Sequence, residues 1–299
     1  MKIYIAAMHT SNFSRSSRAY EQLNEREKQA RNEIPYVLES YHYIHKETFV
    51  KKIREDKEKV FLDSGAFSAF TKGIDVNLEE YCEYIHRNKD IIEVASVLDG
   101  IGDPLETYQN QKRMEALGCA PLPCFHYGED ERYLQYYVEN YEYITLGGMV
   151  PISTPQLKLW LDRIWDLYLT DENGYPRVKV HGFGLTTVSL MERYPWYSVD
   201  SSSWVQMASN GAIYLPQYGA IPISEKSPQA KNEGQHFLNR PVQEQQAIRD
   251  IIEDYGFEVE RMVTNYRTRW TFNAWIYTVL NKQYNEKPRT FTLDQPSLF

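Results

Sequence analysis

Six chemically promising points recur along the chain, each directly after a short apolar run: Asp63, Asp99, His126, the pair Gly147-Gly148, His181 and Asp200. Their successive separations are 36, 27, 21, 34 and 19 residues. Three carboxylates brought to one pocket cannot all ionise freely. One acquires a raised pKa and can donate a proton while another stays anionic. That division suits cleavage of a glycosidic bond through an oxocarbenium-like state, with one carboxylate attacking the anomeric carbon and the other protonating the leaving group. A magnesium or calcium site is the competing use of the same acids, but these positions carry no DxD pair and no acids at liganding spacing. A single Asp at a strand end is commonly a helix N-cap; three on one face are harder to attribute to capping.

Gly147 and Gly148 make a tight turn whose N–H groups could donate to a carbonyl such as a purine O6. A carboxylate opposite would accept from the N–H groups of a guanine-like edge. His126 is placed to hydrogen-bond a base, and His181, counted with the substrate-binding residues, either orients Asp200 or fills the barrel mouth. Cys119, Cys124 and His126 form C-x4-C-x-H, with Cys124 and His126 on one strand face. A fourth ligand is not evident, so the cysteines read as buried thiols, and no metal and no cofactor are called for. There is no Walker-type loop, which disfavours nucleotide hydrolysis.

The elements that must position these groups follow from the pattern itself. Apolar runs at Val60–Leu62, Val94–Leu98, Pro123–Phe125, Tyr143–Leu146, Val178–Val180 and Trp196–Val199 alternate with helix-compatible stretches at Leu78–Arg87, Pro104–Leu117, Glu131–Asn140 and Pro155–Tyr168. Buried strands alternating with helices imply a parallel sheet. With Lys2–Ala7 in front and Ala212–Leu215 behind, eight strands are counted, which predicts a single α/β domain of (β/α)8 TIM-barrel type over residues 1–299. A doubly wound open sheet is the alternative. Residues 216–240 read as a long loop and 241–299 as a C-terminal helical extension. In a parallel barrel the chemistry sits where strands end and βα loops begin.

The chain has 299 residues, with 33 Lys plus Arg against 41 Asp plus Glu, a net charge of −8. It is 42% apolar and 14% aromatic, the composition of a packed protein and not of a disordered one. Three cysteines argue against a disulfide framework and for a reducing, cytoplasmic location. No apolar run approaches a membrane span, and Met1–Ile5 reads as a strand rather than a signal peptide. The acidic total disfavours non-specific adhesion to nucleic acid, but local fields decide binding. Between Arg261 and Arg289 six basic residues and one acid are interleaved with Tyr266, Trp270, Phe272, Trp275, Tyr277 and Tyr284. Such a stretch either neutralises phosphates and stacks bases or is an amphipathic helix with its aromatics turned inward.

Asp63-Ser64-Gly65-Ala66-Phe67, Leu98-Asp99, Leu146-Gly147-Gly148 and Val199-Asp200 resemble, in order and spacing, the motifs of the tRNA-guanine transglycosylase superfamily. The resemblance covers roughly residues 60–215, and only the D-S-G-x-F element is specific in itself. It implies a (β/α)8 barrel that exchanges guanine for a 7-deazaguanine base. It further implies Asp200 as nucleophile on C1′, Asp63 as the group handling proton transfer, and Asp99 on the purine amine edge. Gly147 and Gly148 would bind the carbonyl, with Ser64 and Phe67 beside the base. The chain departs from the tRNA enzymes in two ways: no Cys follows Cys124, so their zinc site is missing, and Ala66 replaces a glycine. It is more similar to the short bacteriophage-type branch, which points to DNA as polymer partner, RNA remaining open, and to a free 7-deazaguanine base as second substrate. Arg15, Arg18, Arg267 and Arg269 are candidate phosphate ligands. The alternatives are a carboxylate-dependent N-glycoside hydrolase, a metal-dependent barrel hydrolase and a non-catalytic nucleic-acid-binding barrel.

Overall fold

Short apolar runs buried on both faces become parallel strands wherever a helix returns the chain to the start of the sheet. The structure, a computed structural model, describes residues 1–185, 187–227, 235–286 and 288–293. Eight strands make its main sheet: β1 (Lys2–Ala6), β2 (Val37–Ser40), β3 (Val60–Asp63), β4 (Ile92–Ala95), β5 (Cys124–His126), β6 (Tyr143–Gly147), β7 (Lys179–Gly182) and β8 (Ser198–Ser201). They pair in the order β4-β3-β2-β1-β8-β7-β6-β5, each neighbour parallel to the next. The two ends of this order meet just past β4. There Ser96 bridges Leu122, whose N–H donates to the Ala95 carbonyl at 2.8 Å and whose own carbonyl accepts from Val97 N–H at 2.9 Å. The curled sheet with helices between its strands is the expected α/β, (β/α)8-type barrel, followed by C-terminal helices.

Local signals set the helix starts. Asn77, Asp103 and Asp130 each accept a backbone N–H from the first turn of helices Leu78–Arg87, Pro104–Ala116 and Glu131–Asn140. One strand assignment needs correction. Ala212–Leu215 is not a barrel strand: as β9 it forms an antiparallel hairpin with β10 (Gly219–Pro222). Its outer edge is taken by the buried Asn273 side chain, which accepts from Tyr214 N–H and donates to the Ala212 carbonyl. The eighth barrel strand is instead β2, four residues long and masked in the sequence by Pro35 and polar neighbours. Segment 216–240 therefore contains β10 and a short 3-10 turn, Phe237–Asn239, and is not one loop. Residues 228–234 of that segment lie outside the described residues, as do Lys287 and residues 294–299 of the C-terminal extension.

The chain divides into two compact units. The first, Met1–Thr10, Tyr36–Ser201 and the segment from Tyr284, holds the barrel. Tyr4, Ala6, Leu38, Phe61 and Leu122 fill one core cluster, with Tyr36, Val94, Tyr143 and Phe183 packed against it. A buried charge network ties the residues after β1 to β2. His9 N–H donates to Glu39, and its imidazole lies 3.4 Å from Glu39, 3.4 Å from Asp56 and 3.2 Å from Glu58. Burial alone would disfavour the imidazolium, but Asp56, Glu39 and Glu58 outweigh it and raise the His9 pKa to about 10.

The second unit, Ser11–Pro35 and Ser202–Gln283, is mainly helical. Within helix Tyr266–Tyr284 the side chains of Phe272, Trp275 and Tyr277 are buried, so the aromatic stretch packs inward. Arg261 makes two 2.8 Å bonds to Glu27. Arg269 is buried, donating to the carbonyls of Ala208, Met262 and Val263. It is a structural cation, not the phosphate ligand anticipated above. Arg18 is exposed, and Arg15 and Arg267 are half-buried. Among the described residues no helix is long and apolar enough to cross a membrane. In denaturant unfolding, Arg269→Ala is expected to cost about 3 kcal/mol, because three carbonyls lose a charged donor. Arg18→Ala should cost less than about 0.5 kcal/mol; equal effects would contradict this assignment.

Candidate active site

Six strand ends of the barrel surround a cavity of about 720 Å³. Its walls include Asp63, Asp99, His126, Gly147, Gly148 and Asp200, with Phe67 at 65% exposure. The three acids therefore meet, although 137 residues separate Asp63 from Asp200 in sequence. None of them caps a helix. Asp63 accepts from Gly65 N–H at 3.0 Å, and Asp200 Oδ1 accepts from Gly184 N–H at 2.8 Å on the loop after β7. Asp99 Oδ1 is buried with no hydrogen-bond partner among the described residues.

The acids differ in environment. Burial, then the charges of Asp99 and Asp200, push the Asp63 pKa up to about 7, against the opposing pull of the Gly65 N–H and the Ser40 hydroxyl. Asp63 thus holds a proton in the neutral range. Asp200 is buried, and its Oδ1 accepts from the Gly184 N–H with His181 Nε2 3.3 Å from the same oxygen. Burial lowers the His181 pKa despite the pull of Asp200, so the ring is neutral.

His126 is clamped by a residue the sequence reading missed. Glu129 takes its Nδ1 at 2.8 Å and its backbone N–H at 3.0 Å. The available signal was an acid three residues on, across the turn at Gly128. Burial disfavours the His126 imidazolium, but Cys124, Asp99 and Glu129 together raise its pKa well above the ordinary value. Burial also pushes the Cys124 thiol up to about 11. As expected, Cys124 and His126 share a face, with Sγ 3.4 Å from Nε2. Cys119 does not join them: its Sγ lies 3.6 Å from His86. The third group there is Asp99, with Oδ2 3.6 Å from His126 Nε2, and these three side chains are the ones able to hold a metal ion in the cavity.

Two assignments change. Ser64 is buried and absent from the cavity wall; its N–H donates to Ser96 Oγ at 3.1 Å and its hydroxyl accepts from Ala66 N–H at 3.4 Å. It staples the turn rather than touching a ligand. His181 is also fully buried and behind the wall, so it acts on Asp200 and not on a substrate. His181 is a β7 residue enclosed by Phe61, Phe183 and Tyr4, while Ser64 lies on the turn after β3.

Two glycines make the site possible. Gly65 has φ +76°, and a Cβ there would sit 2.3 Å from Ser40 Oγ and 2.6 Å from His42 Cβ. A Cβ on Gly147 would sit 2.8 Å from His126 Cδ2 and 3.1 Å from Cys124 Sγ. No protein-family model matches this chain, and no curated protein matches it. Thermal denaturation should separate collision from backbone strain. Gly65→Ala is expected to cost more than about 2 kcal/mol. Gly73→Ala, at φ +66° with nothing within 4 Å, should cost about 1 kcal/mol. Equal losses would show that the contact with Ser40 is unimportant.

Proposed function

We propose that this chain is a glycosyltransferase that exchanges guanine in DNA for a free 7-deazaguanine base through a covalent Asp200–sugar intermediate. The reading places it with the short, DNA-acting branch of the tRNA-guanine transglycosylase superfamily, which its motifs resemble. The observation that carries it is the pairing of Asp63 and Asp200 in one cavity with opposite environments: one has a pKa raised to about 7, the other has a backbone N–H and the His181 ring nitrogen on a single oxygen. A cavity of about 720 Å³ also suits a single nucleobase and its sugar.

The chemistry balances as follows. A target guanosine is turned out of the stack, since its C1′ is inaccessible within a duplex. An Asp200 oxygen forms an ester bond to C1′ while the C1′–N9 bond breaks, and its electron pair leaves with guanine, which takes the proton of Asp63. The incoming 7-deazaguanine then gives its N9 proton to the Asp63 carboxylate and attacks C1′. The ester bond breaks and Asp200 is restored as a carboxylate. Two displacements retain the sugar configuration. A group with a pKa near the working pH can serve as acid in one half and base in the other. Asp99 and the Gly147-Gly148 turn flank the space for the base. Arg15, Arg18 and Arg267 remain candidates for phosphate contact.

Incubating DNA and tRNA in parallel with labelled guanine tests the reading: label is expected in DNA. Label in tRNA alone would move the substrate to RNA. Release of base without incorporation would mark an N-glycoside hydrolase, and loss of turnover on chelation would favour metal-assisted chemistry at Asp99, Cys124 and His126. Asp200→Ala should abolish the covalent polymer adduct and lower exchange at least ~10³-fold. An adduct persisting in that variant would exclude Asp200 as nucleophile.

Asp63 also gives a pH signature. Its folded pKa is raised from 3.8 to about 7, so the acid form is lost as pH rises through 7 and guanine release should slow above that point. Asp63→Asn should slow exchange ~10²–10⁴-fold and remove this limb. The same raised pKa costs folding stability as pH rises from about 4 through 7. Asp63→Asn should therefore raise the melting temperature more at pH 8 than at pH 5, and an equal change at both would refute the raised pKa.

A further inference from the structure

Beneath Asp200 a line of buried polar groups runs through the aromatic interior of the barrel. His181 Nε2 is 3.3 Å from Asp200 Oδ1, His181 Nδ1 is 2.7 Å from Ser198 Oγ, and Ser198 Oγ is 2.6 Å from the Tyr143 hydroxyl. His181 and Ser198 are fully buried. Three rings enclose the imidazole, with centroids at 4.5 Å (Phe61), 4.7 Å (Phe183) and 6.0 Å (Tyr4). A polar chain in such surroundings is costly unless every donor meets an acceptor.

Only one direction of donation satisfies the line. Asp200 Oδ1 already accepts from Gly184 N–H, so it is an acceptor toward His181 as well. Nε2 must then carry the imidazole proton, since a lone pair there would face the carboxylate. A neutral ring with Nε2–H has a bare Nδ1, which accepts from the Ser198 hydroxyl. The remaining lone pairs of Ser198 Oγ accept from Tyr143. Reversing any link places two lone pairs or two protons face to face at 2.6–3.3 Å.

We infer that Tyr143 and Ser198 are positioning residues: the Ser198 hydroxyl, held by Tyr143, donates to the bare Nδ1 of His181 and so holds its Nε2–H on Asp200 Oδ1, which with Gly184 N–H anchors that oxygen and leaves Oδ2 as the one that attacks. Among the described residues no donor is recorded on Oδ2. Two donors on one carboxylate oxygen hold the group in plane and leave the other oxygen's lone pairs for bond formation. Asp200 faces the cavity with His181 behind it; Ser198 and Tyr143 lie one and two links further down, and neither is part of the cavity wall. The consequence for catalysis rests on the exchange reaction proposed above, while the tautomer does not.

The test uses the full chain with ¹⁵N-labelled histidine, the His181 signal being assigned by its loss in His181→Asn. Wild type is expected to show a neutral ring protonated at Nε2. Ser198→Ala should keep the Nε2–H form but shift the Nδ1 resonance, because the bare nitrogen loses its hydrogen bond, and Ser198→Thr should retain the wild-type pattern. In the exchange assay Ser198→Ala and Tyr143→Phe are each expected to lower kcat about tenfold at unchanged polymer KM, with Ser198→Thr near wild type. An Nδ1–H ring in wild type, or an unchanged Nδ1 resonance in Ser198→Ala, overturns the relay. An adduct structure with the ester on Oδ1 overturns the oxygen assignment. If wild type exchanges no base at all, the functional reading fails while the ¹⁵N readout still decides the relay. If wild type exchanges and Ser198→Ala retains full kcat, the relay fails and the functional reading stands.

Discussion

Repulsion among carboxylates confined at one end of a barrel is the constraint from which the rest of the site follows. Asp63, Asp99 and Asp200 line one cavity, and burial together with the charges of Asp99 and Asp200 raises the Asp63 pKa to about 7. One proton has to stay, and local hydrogen bonds decide where. Asp63 receives one backbone N–H and is the most burdened by burial and by its two neighbours, so it keeps the proton. Asp200 has partners from two different segments, the Gly184 N–H and the His181 ring. On the proposed reading, acid and nucleophile are thereby told apart by surroundings, since their side chains are chemically identical.

Holding that arrangement falls to residues that do no chemistry themselves. Ser64 and Ser96 tie the turn after β3 to the chain after β4, which sets the approach of Asp63 to Asp99. Glu129 fixes the ring of His126, and Gly147 supplies the missing volume against which that ring packs. The relay below Asp200 is the same principle carried into the barrel interior. There a polar line is tolerated because each link is satisfied and aromatic rings exclude competing water. The buried His9 network does comparable work between β1 and β2, with charge in place of aromatic packing.

Much of this was legible from residue order. Apolar runs alternating with helix signals gave the parallel barrel, and the strand-end acids gave the cavity, since βα loops of such a barrel open on one side. The reading failed where local pattern and tertiary demand diverge. Ala212–Leu215 has the composition of a barrel strand, yet its edges are satisfied by β10 and Asn273. Val37–Ser40 has a weaker pattern and nevertheless completes the ring. Arg269 looked like a surface cation because its neighbours include aromatics and other basic groups; only its enclosure among carbonyls reveals a structural role.

The sequence by itself determined which residue types stand at the ends of which strands, because strand and turn propensities are local and the barrel topology then brings those ends together. Tertiary structure alone decided which carboxylate is protonated, which histidine faces the cavity and which lies behind it, and which arginines are spent internally. Those outcomes depend on burial and on donors contributed by segments distant in the chain, such as Gly184 to Asp200 and Ser96 to Ser64. A pKa or a tautomer is a property of a surrounding field, and that field exists only after the strands have met.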